Sequence, residues 1–82
     1  GFVNHLLSIK GVEIAILLRE DAKDSTKISI RSKGNFPIYY LAEEYGGGGH
    51  KFAASFTSNL PSDLLLESII KKLEELTKED QI

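Results

Sequence analysis

Apolar and polar positions alternate with a period of two in three stretches and with a helical period in others. Val12, Ile14, Ile16 and Leu18 fall on one side of an extended segment, with Glu13, Ala15 and Leu17 on the other. This predicts a strand apolar enough to be central. Lys27 to Lys33 repeats the pattern, with Ile28 and Ile30 on one face and Lys27, Ser29, Arg31 and Lys33 on the other. The Asp-, Ser- and Lys-rich stretch Arg19 to Thr26 between them predicts a polar turn that folds the second strand back antiparallel to the first. Phe52, Ala54 and Phe56 alternate with Ala53, Ser55 and Thr57, which predicts a third strand with small residues on one side.

The helical stretches differ in kind. Ile38, Leu41, Ala42 and Tyr45 recur at i, i+3, i+4 and i+7, after a break at Gly34-Asn35 and with Pro37 suited to a first helical turn. From Leu66 onward, Leu66, Ile69, Ile70, Leu73 and Leu76 form a stripe opposite Glu67, Lys71, Lys72, Glu74, Glu75 and Lys78. Pro61 and Asp63 suit its first turn, its charges read most simply as a solvated face, and residues 77–82 are expected to fray. Phe2, Leu6 and Ile9 are also at helical spacing and predict the end of a helix that Gly11 breaks. The predicted order is helix, strand, strand, helix, strand, helix. This is an α/β chain of the layered α+β kind, with a small mixed sheet flanked by helices in one domain over residues 1–82.

Eighty-two residues exclude two domains and lie near the lower size limit for a self-sufficient core. No apolar run approaches the ~20 residues that cross a bilayer, and Gly1 to His5 lacks the basic start of a signal peptide. Membrane partners are therefore not expected, and a cytoplasmic location is. Without cysteine there is no disulfide framework, no thiolate nucleophile and no sulfur-ligated metal. Methionine is absent even at position 1, so the chain is expected to be part of something longer. A formal net charge of −2 argues against gripping long duplex nucleic acid through the overall field, so any anion site must be local.

The run Gly46-Gly47-Gly48-Gly49-His50-Lys51 directly after the first complete helix is the most unusual local feature. One glycine suffices for a left-handed helix cap, and a flexible linker is commonly longer and mixed with serine. Four glycines in succession let a ligand approach the backbone closely and let consecutive amides form an anion-attracting nest, with His50 and Lys51 adding donors suited to phosphate. The run is not a P-loop, because it follows a helix and its lysine is followed by Phe52. Arg31, on the polar face of its strand, offers a planar fork to a phosphate, although a lone strand arginine is equally a surface residue or an ion-pair partner. Ser29, Ser32 and Lys33 accompany it, and Tyr39, Tyr40, Tyr45 and Phe52 offer either core packing or a stacking surface for a base. No nucleophile elbow, triad or His and Asp spacing of a metal site is present, and His5 has no polar company.

The segment Ile28-Ser-Ile-Arg-Ser32, the helix through Leu41-Ala42, and Gly46-Gly-Gly-Gly-His-Lys51 followed by Ala53-Ala54 together resemble the DHH-associated C-terminal domain of DHH phosphoesterases. The nearest relatives in that family are of the oligoribonuclease and phosphoadenosine (pAp) phosphatase type. The likeness runs from about Val12 to the last helix. It implies a division of labour, in which an N-terminal DHH domain, absent here, holds manganese and activates water. The C-terminal domain then binds the substrate and itself carries no catalytic residue, metal or cofactor. Carried over, Arg31 and His50 would contact the terminal phosphate of a short single-stranded RNA, DNA or nucleotide. Ser32 and Lys51 would assist, and Gly47, Gly48 and Gly49 would admit the ligand. Ser55 stands where the family commonly has glycine, and Pro37 where a capping Asp is common. The C-terminal domain of alanyl-tRNA synthetase is a weaker match, lacking here its longer glycine stretch. Two other readings remain: a nucleic-acid or tRNA binding module with no hydrolase partner, and a homodimerising module whose last helix pairs with a copy.

Overall fold

The computed structural model describes residues 2–9, 11–22, 24–33 and 37–79, the side chains of 22, 39, 40 and 76–79 excepted. Five strands and two helices follow in the order β1 (Phe2–Ile9), β2 (Val12–Ala22), β3 (Ser25–Ser32), α1 (Tyr39–Glu44), β4 (Gly48–His50), β5 (Ala53–Ser58) and α2 (Ser62–Glu79). They form one sheet of strand order β1-β2-β3-β5-β4. The layered α+β class expected from the sequence holds. Every pairing among the described residues is antiparallel, however, where a mixed sheet was expected.

The register explains which face is buried. Ile16 pairs with Ile30 and Ile30 with Ala54, while Leu18 pairs with Ile28 and Ile28 with Phe56. Directly opposed residues in an antiparallel sheet share a face. This face joins Ile38, Leu41 and Ala42 before and within α1, and Leu65, Ile69 and Leu73 of α2, in one buried cluster. Each fully buried Ile or Leu contributes about 1.5–3 kcal/mol. Both helices therefore cover the same side of the sheet, and the other side is left open.

Three local features differ from the sequence reading. Phe2–Ile9 is a strand and not the end of a helix. It pairs along its whole length with β2, from Phe2 opposite Arg19 to Ile9 opposite Val12. Those ladder bonds and the half-burial of Leu7 and Ile9 override a helical spacing of only three residues. The polar stretch after Leu18 is mostly strand, and the reversal is confined to the residues around Asp24, which has φ +60°. Helix α2 continues through Thr77 to Glu79, past the point where fraying was expected to begin, and residues 80–82 lie outside the described part. The break at Gly34-Asn35 also lies outside it.

Polar contacts hold the start of α2 to the β2–β3 hairpin. The buried Thr26 hydroxyl donates to the Leu60 carbonyl at 2.7 Å. Glu20 Oε1 accepts from both the backbone N–H (2.9 Å) and the hydroxyl (2.6 Å) of Ser62, giving the first turn of α2 a carboxylate partner from β2. Tyr45 stacks on Phe56 with ring centroids 4.3 Å apart.

Candidate functional site

On the open face the register brings residues from all five strands into rows. Leu6 opposes Ala15, Ala15 opposes Arg31, Arg31 opposes Ala53, and Ala53 opposes His50. Arg31 and His50 thus stand two strands apart on one face, at about 10 Å, because neighbouring strands lie about 4.7–4.9 Å apart. Between them is only the methyl group of Ala53. A guanidinium and an imidazole flanking so small a residue leave room for a compact group to be touched from both sides.

A cleft of about 880 Å³ opens at this end of the sheet. Its lining includes Arg31, Ser32, Lys33, His50, Lys51 and Phe52. Glu13 is the one carboxylate in the lining, and it lies 3.9 Å from Lys33 Nζ at the margin. Arg31 is exposed, and among the described residues neither it nor His50 nor Lys51 takes part in an ion pair. That removes one bland account of Arg31 offered by the sequence, the ion-pair partner. The cationic and hydroxyl donors suit an anion. They do not suit a manganese ion, and no cluster of three or more His, Asp or Glu assembles among the described residues.

The glycine run has a structural explanation that patterning did not reveal. Gly46 has φ +77°, and its N–H donates to the Glu43 carbonyl, while the Gly47 N–H donates to the Ala42 carbonyl at 2.8 Å. This pair of bonds is a Schellman closure of α1, so two amides expected in an anion nest are committed to the helix end. A Cβ on Gly47 would stand 2.5 Å from Phe56 Cβ and against the Ser55 carbonyl, and one on Gly49 would stand 2.9 Å from Ala54 Cα. Packing against β5 therefore requires both, and of Gly47, Gly48 and Gly49 only Gly48 has open space around its Cβ position. The three are not in the cleft lining, whereas His50 and Lys51 are.

Of the residues singled out from the sequence, the fold places Arg31, Ser32, His50 and Lys51 in one cleft lining, with Arg31 and His50 on the open face and Ser32, opposite Ile14, on the other side of its strand's end, and Gly47, Gly48 and Gly49 outside the lining. Tyr45 is half-buried against Phe56, and the side chains of Tyr39 and Tyr40 lie outside the described part. Sequence reasoning missed Ala15 and Ala53 as the floor around Arg31. Their signal was present, since each is a small residue on the polar-side phase of its strand. It becomes legible only once strand adjacency is known.

A family model described as the DHHA1 domain matches residues 1–79. A curated relative, the bifunctional oligoribonuclease and PAP phosphatase NrnA of Thermus thermophilus, is 34% identical over 79 residues, covering 94% of this chain and 24% of its own. The chain thus spans about a quarter of that relative's length. No solved structure gives a match.

Proposed function

We propose, from the premise that this chain belongs to the DHHA1 domain family, that its open sheet face holds the terminal phosphate of a short oligonucleotide or a bisphosphonucleoside. DHHA1 domains are accessory domains of DHH-family phosphoesterases. In this reading the ligand is presented to a DHH catalytic domain of the same parent protein, which carries manganese and performs two-metal phosphoester hydrolysis. The chain's own residues bind and orient. Arg31 supplies a bidentate fork, His50 a second donor across Ala53, and Ser32 and Lys51 complete the contacts.

The observation that carries the reading is the placement of Arg31, without an ion-pair partner among the described residues, in one cross-strand row with His50. The relative's name, bifunctional oligoribonuclease and PAP phosphatase, agrees with a phosphorylated nucleotide as ligand. A binding module with no hydrolase partner would use the same face. Manganese-dependent turnover of a phosphorylated dinucleotide by the full-length parent separates the two, hydrolysis favouring the first and its absence the second.

The test on this chain is an NMR titration with a 5′-phosphorylated dinucleotide, with the unphosphorylated dinucleotide as control. Phosphate-dependent shifts at Arg31, Ser32, His50 and Lys51 are expected. Arg31→Ala should weaken binding by about 1.5–3 kcal/mol, the range for a lost hydrogen bond to a charged group. Unchanged affinity in that variant refutes the assignment.

A further inference from the structure

Phe52 has no part in the reading above, yet it is the aromatic side chain in the cleft lining. With Lys51 it forms the two-residue link between β4 and β5. The main chain fixes this link on both sides. The Ser32 N–H donates to the Phe52 carbonyl at 2.9 Å, and the Ile38 N–H donates to the Lys51 carbonyl at 2.8 Å. Phe52 is only half-buried, and the Lys51 ammonium lies over its ring at 5.6 Å from the centroid. An aromatic ring held by tethered backbone, partly open, in the same cleft lining as Arg31 and His50 and outside the core cluster is poorly accounted for by core packing alone.

We propose that Phe52 is a stacking platform for the base of the ligand whose phosphate Arg31 and His50 hold. The site then takes nucleotides and short oligonucleotides and discriminates against phosphates that carry no base. This rests on the phosphate reading and adds to it. A base settling on Phe52 replaces the Lys51 ammonium over the ring, and an exposed cation–π contact is the weaker of the two interactions. The displaced ammonium remains within the cleft, available to the phosphate. Every nucleobase has a π face, so the platform selects for the presence of a base and little among bases.

The experiment compares ribose 5-phosphate with adenosine 5′-monophosphate by calorimetric titration of the wild-type chain and of Phe52→Ala, Phe52→Leu and Phe52→Tyr. Wild type should bind the nucleotide more tightly than the sugar phosphate. Phe52→Ala should weaken the nucleotide about 5- to 140-fold, which is stacking of about 1–3 kcal/mol converted at 1.4 kcal/mol per tenfold. It should leave ribose 5-phosphate unchanged, and Phe52→Tyr should restore the preference. Phe52→Leu keeps an apolar side chain of similar bulk without a π face and should behave like the alanine variant. A nucleotide bound no better than ribose 5-phosphate, or bound equally by Phe52→Leu, overturns the platform while leaving phosphate recognition standing. If neither ligand binds, phosphate recognition fails and the platform falls with it.

Discussion

Replacing Gly47, Gly48 and Gly49 by alanine one at a time sets the same methyl group against three different surroundings. None of the three has a left-handed φ, so backbone strain does not enter and the comparison is one of space. At Gly47 the new carbon would lie 2.5 Å from Phe56 Cβ and 2.9 Å from Phe56 Cα. Ordinary carbon contacts are about 3.5–4.0 Å, so the overlap is about 1 Å. At Gly49 it would lie 2.9 Å from Ala54 Cα and 3.0 Å from the Ala53 carbonyl carbon. Both obstacles are largely main chain of β5, which β3 holds in place through Ile28 opposite Phe56 and Ile30 opposite Ala54. Relief therefore requires β4 to lift away. Overpacking costs about 1–3 kcal/mol, and a backbone obstacle places both variants near the upper end. Gly48→Ala meets nothing within 4 Å and should be neutral or stabilising by about 0.4–1 kcal/mol, because it restricts the unfolded chain. The expected contrast between adjacent positions is about 3 kcal/mol. At 4–8 °C per kcal/mol for a domain of this size, that is roughly 12–24 °C in Tm. Urea unfolding followed by far-UV circular dichroism reads it directly. Three variants within about 0.5 kcal/mol of one another, below the spread expected of a buried clash, would refute the close packing of β4 on β5.

Two further predictions address the helix anchor and the chemistry. The Ser62 hydroxyl and backbone N–H hold the Glu20 carboxyl below its ordinary pKa, so this contact stabilises the fold above the ordinary glutamate value and is lost as pH falls through the depressed folded value. Tm of the wild type should accordingly fall more than that of Glu20→Gln as pH drops through this range, and parallel profiles would count against the anchor. The isolated chain should not hydrolyse a phosphorylated dinucleotide in the presence of manganese, and turnover that survives rigorous purification and is lost in Arg31→Ala would contradict a purely binding role.

Much of the fold was legible because burial on one face writes a period into the sequence. Val12 to Leu18, Ile28 with Ile30, and Ala54 with Phe56 carry the period of two, and Ile38, Leu41, Ala42, Ile69 and Leu73 carry the helical one, and all the interior positions but Val12 enter the core cluster itself. Phe2–Ile9 was misread because a short apolar run fits either period, and Gly11, with φ +79°, serves a helix end and a hairpin turn equally well. The long-range ladder with β2 decided the matter, and no local signal encodes it. The candidate site was legible as a set of residues and illegible as an arrangement. Arg31 and His50 are nineteen positions apart in the chain, and they face one cleft because β5 inserts between β3 and β4, a strand order that periodicity does not contain. The packing demand on the glycine run was illegible for the same reason: the obstacles at Gly47 and Gly49 come from β5, which lies later in the chain.

The two tethers of the Lys51-Phe52 link end on main-chain carbonyl oxygens, and this separates what holds the link from what it displays. Substitution at 51 or 52 leaves both acceptors intact, so the pair forms a replaceable cassette on a fixed frame. Randomising these two codons should yield a high proportion of folded variants whose ligand preferences diverge. The same freedom would let related sequences alter specificity by single steps, without first acquiring compensating changes in the sheet.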